Sequence, residues 1–304
     1  MGGERRAIVA PAIGTQPIRD TTVRLRDGRA LAYCEWGRAE GPAVLAFHGS
    51  PGSRVWWPSL SHTEAAGVRL VTVDRPGCGN SDPLPGRTIG GWAGDVAELT
   101  EVLDVDRFGV VGWSGGAPYA VSVASAMPHR LTGTCICSSA SITYAVGPTT
   151  PDEEDAGLVA QIETLGHADA TLRYVEENRA WAEGLLKDPA SLTELAEVAE
   201  GDRWLFDDPV ESKGLNDMTR EAVRQGAIGA CSDWIGPLAP WGFSLNEIET
   251  DVRLWHGEQD TWVDRNDFER VAAAIPHSTL TMWPDAGHFG IAKHWSEVLE
   301  AALA

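Results

Sequence analysis

The sequence predicts an α/β protein, in which a mostly parallel sheet of about eight strands carries helices on both faces and is interrupted by one inserted helical segment. Three observations predict it. Short, continuously apolar runs, of the kind a strand needs when both its faces are buried, alternate with stretches of helical periodicity. Each run ends in a loop rich in glycine, proline, serine or aspartate. From Tyr144 to about Trp241 the alternation stops, and helical patterns continue without strands between them.

Residues 1–20 read as an N-terminal arm. The opening MGGERRAIVAPAIG places two arginines before an apolar run, but that run is only about seven residues long and Pro11 interrupts it, too short for the core of an export signal. A cytoplasmic protein is expected, and no run approaches the roughly twenty apolar residues of a membrane span. The first part of the core occupies residues 21–144. Thr21 to Arg26 and Ala30 to Trp36 alternate apolar with polar around Asp27-Gly28, a hairpin signal. Ala43 to Phe47 is a buried strand that ends in HGSPGSR, and a helix is expected near Trp56 to Ala66. Arg69 to Val73 is a second buried strand, ending in DRPGCGNSD. Thr88 to Leu103 has a helical pattern with Thr88 as cap, and leads into a strand over Arg107 to Val111. A helix over Pro118 to Ala126 and a strand over Thr132 to Cys137 follow.

At AVGPTTPDEED two prolines and a charge cluster change the rhythm. Residues 145–247 are therefore read as an inserted helical lid, longer than an ordinary connection. Residues 248–304 return to the core, with strands over Val252 to Trp255 and Thr279 to Trp283 and a terminal helix from about Ala292. In such a sheet ligands bind beyond the carboxyl ends of the strands, so the loops there carry the functional expectations.

The loop after Val111 holds the strongest motif, Gly112-Trp113-Ser114-Gly115-Gly116, a G-x-S-x-G sequence at a strand-to-helix junction. A turn that sharp exposes a serine hydroxyl above the sheet and needs flanking residues without side chains. A serine hydroxyl is a poor nucleophile at neutral pH and requires a base and a group that orients the base. Asp260, in WHGEQDTWV, and His288, in WPDAGHFG, lie just past two strands and follow Ser114 in the chain order expected for this architecture. Glu258 and Asp264 are the competing acids and His294 the competing base. An oxyanion formed in acyl transfer needs two donors, for which the amides of Gly115 and of Ser50, in HGSPGSR, are the candidates. Among thirteen tryptophans, Trp113, Trp56, Trp57 and Trp234, with His48 at the head of the HGSPG loop, are the candidates for contact with substrate, and Trp181, Trp204 and Trp241 are further candidates to line an apolar pocket.

The charge balance, 24 basic against 44 acidic residues, repels nucleic acid and anionic membranes, so a small-molecule substrate is the expected partner. The five cysteines are odd in number and lack metal-ligand spacing, which fits reduced thiols and no metal or other cofactor.

GWSGG, HGSPG, DRPGCGNSD, GEQD and DAGH together resemble the α/β-hydrolase fold family, capped subgroup, over nearly the whole chain outside the lid. The resemblance implies Ser114 as nucleophile, His288 as base, Asp260 as acid, Ser50 and Gly115 as oxyanion donors, and cleavage of a carboxylic ester. HGSPG and RPGCGNS also resemble loops of proline iminopeptidases, although Ser50 replaces a glycine and the elbow differs. That implies an alternative amidase activity, with Glu153, Glu154, Glu176 or Glu177 binding a substrate amine. The capped dehalogenases and epoxide hydrolases use aspartate where this chain has Ser114.

Overall fold

A computed structural model describes residues 16–56, 58–147, 153–194 and 198–304. Eight strands form one sheet in the order β1-β2-β4-β3-β5-β6-β7-β8. The antiparallel edge is β1 (Arg19–Arg24) against β2 (Ala30–Gly37), and β2 also pairs antiparallel with β4 (Arg69–Val73). Every other pairing is parallel, joining β4, β3 (Ala43–Phe47), β5 (Phe108–Trp113), β6 (Leu131–Cys137), β7 (Val252–Gly257) and β8 (Ser278–Trp283).

Alternation along each buried strand divides the core into two layers, because successive side chains point to opposite faces. In β3, Leu45 and Phe47 join the layer built with α2 (Trp92–Val102), α3 (Ala117–Ala126) and α11 (Arg265–Ala274). Val44 and Ala46 join the other, against α13 (Trp295–Ala302), with α1 (Leu60–Ala66) beside it. These strands are buried from both sides, which is why they are legible as unbroken apolar runs.

Several boundaries differ from expectation for local reasons. β1 begins at Arg19, inside the expected arm, since the Ile18 amide donates to the Glu35 carbonyl at 2.8 Å and extends the ladder. Thr88 does not cap α2; its hydroxyl accepts from the Gly91 amide at 3.1 Å in a turn ahead of the helix, and Gly90 and Gly91 delay the helix to Trp92. Ser59 caps α1, so that helix starts at Leu60 rather than near Trp56. The terminal helix is divided at His294 into α12 (Gly290–Lys293) and α13.

Between β6 and β7 lie α4 (Glu153–Leu165), α5 (His167–Glu177), α6 (Arg179–Lys187), α7 (Ser191–Glu194), α8 (Arg203–Asp207), α9 (Pro209–Ala222) and α10 (Ile228–Ile235), with no strand among the described residues. They enclose an apolar cluster of their own, including Leu158, Ala170, Leu185 and Ile235. No helix among the described residues is long and apolar enough to cross a membrane.

The elbow after β5 is packed backbone to backbone. A Cβ on Gly116 would lie 2.1 Å from the Phe47 carbonyl oxygen, and one on Gly112 would lie 2.7 Å from Ala117 Cα. Gly116→Ala is therefore expected to lower stability by about 1–3 kcal/mol through overpacking. Gly94, exposed on α2 with nothing within 4 Å of its Cβ position, is the control: Gly94→Ala should raise stability by about 0.5–1 kcal/mol. Denaturant unfolding of both variants measures this, and a Gly116→Ala protein as stable as the parent contradicts it.

Candidate active site

Four loops meet at the carboxyl edge of the sheet, following β3, β5, β7 and β8. Ser114 leaves β5 with φ 51°, a left-handed conformation unusual for a residue with a side chain. A short 3₁₀ turn, Ser114–Gly116, then feeds α3. The contacts that exclude side chains at positions 112 and 116 explain the glycines on either side of the motif: the helix folds back on the strand with no room for a Cβ.

His288, in the loop after β8, lies with Nε2 2.9 Å from Ser114 Oγ and Nδ1 3.0 Å from Asp260 Oδ2. The Asp260 side chain is fully buried. Its other oxygen accepts the amides of Trp262 at 2.8 Å and Val263 at 3.1 Å. Burial works to raise the Asp260 carboxyl pKa, but the facing imidazole and the amides outweigh it and hold the group below the ordinary carboxylate range. Of the competing acids, Asp264 caps α11, accepting from the Asn266 amide at 2.7 Å, and Glu258 is exposed. His294 points away from Ser114 to Asp285, 3.0 Å from Oδ1.

Gly115 and Ser50 adjoin. A Cβ on Gly115 would meet Ser50 Oγ at 2.3 Å and Ser50 N at 3.2 Å, and both residues line the same cavity as Ser114 and His288. The Ser50 loop is braced by a buried charge cluster. Asp233, on α10, accepts from Arg75 Nε at 2.8 Å, Arg75 Nη2 at 2.6 Å, Ser50 Oγ at 2.5 Å and the Arg87 guanidinium. Arg75 Nη1 and Nη2 also donate to the carbonyls of His48 at 2.7 Å and Gly49 at 3.0 Å. Burial would raise the Asp233 carboxyl pKa, but Arg75 and Arg87 together hold it well below its usual range. A buried carboxylate with two guanidinium partners satisfies the rule that interior charges are paired, and here the pairing fixes the loop beside Ser114.

The cavity has a volume of about 300 Å³. Tyr144, Glu154, Asp155, Tyr174, Trp234 and Trp262 form much of its wall. Trp234 lies against Trp181, at 4.9 Å between ring centroids. His48, Trp56 and Trp113, the other candidates for contact with substrate, do not line this cavity. His48 is completely buried, with Nδ1 2.8 Å from its neighbour's carbonyl at Gly49, and burial followed by the Arg75 charge pushes its pKa well down. Trp56 stacks on Trp113 at 5.4 Å, and the two border a separate small apolar hollow with Leu205 and Phe289. Trp113 Nε1 donates to the His288 carbonyl at 3.0 Å, so this ring braces the imidazole's loop from behind. Trp57 falls outside the described residues. Trp241 is buried, its indole donating to the Pro237 carbonyl at 2.9 Å, while Trp204 is partly exposed.

Sequence reasoning missed Trp262, whose ring stacks on that of His288 at 4.7 Å. Its position two residues after Asp260 was the available signal. Of the four glutamates weighed for amine binding, Glu154 alone lines the cavity, accepting from Tyr174 Oη at 3.0 Å. Glu176 and Glu177 instead pair with Arg179 and Arg173 on an exposed helix face.

A family model described as the alpha/beta hydrolase family matches residues 43–301. A non-heme chloroperoxidase from Streptomyces lividans is 27% identical, over 93% of this chain and 97% of that protein. A 2-hydroxy-6-oxononadienedioate/2-hydroxy-6-oxononatrienedioate hydrolase from Cupriavidus pinatubonensis is 24% identical, over 91% of this chain and 90% of that protein. Among solved structures, the enol-lactonase of Burkholderia xenovorans superposes with a TM-score of 0.66 at 18% identity, over 93% of this chain and 99% of that one, a likeness of fold. With a glycine-flanked elbow serine at the end of β5 and a family model that spans β3 to β8, this chain belongs to the alpha/beta hydrolase family.

Proposed function

We propose that the chain is a serine hydrolase that cleaves a small carboxylic ester through an acyl group carried on Ser114. The observation that carries this reading is the relay of 2.9 Å from Ser114 Oγ to His288 Nε2 and 3.0 Å from His288 Nδ1 to Asp260 Oδ2. In that arrangement the imidazole takes the hydroxyl proton as Oγ attacks the carbonyl carbon, and returns it to the leaving alcohol. Asp260 keeps Nδ1 protonated and stabilises the imidazolium. The amides of Gly115 and Ser50 receive the charge on the carbonyl oxygen, a contribution typically worth a hundred- to a thousandfold, about 3–4 kcal/mol, per donor. A water deprotonated by His288 then attacks the acyl carbon and frees Ser114. Ser114, His288 and the attacking water carry every proton transfer, the last proton returning from His288 to Ser114 Oγ, so the reading calls for no cofactor.

The helical segment 145–247 acts in this reading as a lid. Leu158, Tyr174 and Trp234 from its helices form cavity wall opposite Ser114. A volume of about 300 Å³ suits a small substrate, and the apolar and aromatic part of the wall suits an acyl or alcohol group of the same kind. One observation favours a second reading, an amidase acting on aminoacyl compounds: Glu154 and Asp155 line the cavity and offer charge complementary to an ammonium group.

Ser114→Ala is expected to fold as the parent does, to lose labelling by a fluorophosphonate probe, and to lower ester turnover by about four orders of magnitude or more. A parent protein that is never labelled favours instead a ligand-binding role on this fold. Comparing p-nitrophenyl butyrate with an aminoacyl p-nitroanilide separates the two hydrolytic readings. The ester should give the higher kcat/KM, and preference for the anilide overturns the ester reading.

A further inference from the structure

Asp202 lies in the 3₁₀ turn Glu200–Asp202, between α7 and α8, far from Asp260 and His288 in sequence. Its carboxylate is almost wholly buried, 2% exposed. One oxygen accepts the Gly287 amide at 2.9 Å and the other the Phe289 amide at 3.0 Å. Those are the two amides on either side of His288. A Cβ on Gly287 would come within 2.6 Å of Asp202 Oδ2, so the loop approaches the carboxylate as closely as glycine allows. The same turn reaches the acid's loop, where the Gly201 amide donates to Gln259 Oε1 at 2.8 Å. On the other side, Trp113 Nε1 holds the His288 carbonyl at 3.0 Å. The backbone of the base is thus fixed by three side-chain hydrogen bonds, two of them to one carboxylate from the helical insertion.

We propose that Asp202 is a positioning residue for His288, clamping the backbone on both sides of the imidazole so that Nε2 meets Ser114 while Nδ1 meets Asp260. The inference rests on the serine-hydrolase reading and extends it, since the insertion then helps assemble the base as well as roofing the cavity. Asp260 gives the ring one hydrogen bond and Trp262 stacks on it, but neither holds the backbone that carries it. A displacement of the loop by an ångström would break that alignment, and errors of this size cost about a hundredfold in rate. The charged and titratable neighbours of the imidazole are Asp260 and Ser114, in direct contact, Asp202 behind the loop, and His256, whose Nδ1 is 3.8 Å from Asp260 Oδ2. Burial, joined by the Asp260 charge, raises the Asp202 carboxyl pKa on balance, against the two amides and the imidazole, which favour its ionised form. An ionised Asp202 adds to the field that stabilises an imidazolium.

The test compares the parent with Asp202→Asn and Asp202→Glu. Asn keeps the shape but turns an NH₂ toward an amide and removes the charge. Glu keeps the charge but displaces it. Asp202→Asn should lower kcat for p-nitrophenyl butyrate by about ten- to a hundredfold with little change in KM. The acid limb of its kcat/KM profile should move to lower pH. Asp202→Glu should lose kcat while keeping the limb near its parental position. NMR titration of the imidazole, assigned with His288→Gln, requires no substrate and should show the same downward movement in Asp202→Asn. A parent that neither turns over esters nor is labelled removes the serine-hydrolase reading, while the imidazole titration still decides the place of Asp202. If Asp202→Asn does not fold, Asp202→Glu decides through kcat. Either variant keeping parental kcat within about twofold, with an unmoved imidazole titration in Asp202→Asn, overturns the proposal.

Discussion

The reactive end of the molecule depends on one backbone constraint, the left-handed turn at Ser114 between β5 and α3. A non-glycine residue in that region costs about 1–3 kcal/mol and persists only where its surroundings over-determine it. Here the surroundings are a strand buried on both faces, a helix folded directly onto it, and glycines whose Cβ positions are already filled by the Phe47 carbonyl and the Ala117 backbone. The turn lifts the hydroxyl out of the sheet, where an imidazole from the loop after β8, three strands away, can reach it. Loosen the packing of β5 against β3 and α3, and the hydroxyl no longer has a fixed position for the imidazole to meet.

Buried charges tie down the neighbouring loops. Asp233 holds the Ser50 loop through Arg75, and Asp202 holds the His288 loop through two amides. Glu221, also from the insertion, shares Arg54 with the buried Asp74 of the core, at 2.7 Å and 2.8 Å. Each tie is a buried or half-buried carboxylate whose desolvation is offset by several directed hydrogen bonds, and each joins the helical insertion to a loop of the sheet. Such contacts are direction-dependent in a way apolar packing is not, which suits loops that must present atoms at fixed distances.

The sheet was legible in the sequence because parallel strands covered on both faces are unbroken apolar runs, and β3, β4 and β6 fall within a residue of where those runs lie. Ser114, Asp260 and His288 were legible for a related reason, since each follows such a run in a loop too polar and glycine-rich to be core. Helix starts were less so: Thr88 has the chemistry of a cap, but two glycines after it delay the helix. The facing of side chains around the pocket has no signal in the sequence. A tryptophan beside a nucleophile is equally suited to face the substrate or to brace the loop behind it, and Trp113 takes the second role. Asp202 and Asp233 carry no local signal, because their partners lie from 85 to 183 positions away.

The proposed chemistry rests on transfer of an acyl group to one hydroxyl. Rapid acid quench of the protein turning over p-nitrophenyl butyrate, followed by peptide mass spectrometry, reads that event directly. A butyryl group on the peptide containing Ser114, absent from Ser114→Ala, is the result expected. Turnover with the acyl group on another residue, or with none at any quench time even when deacylation is slowed by low pH, would contradict it.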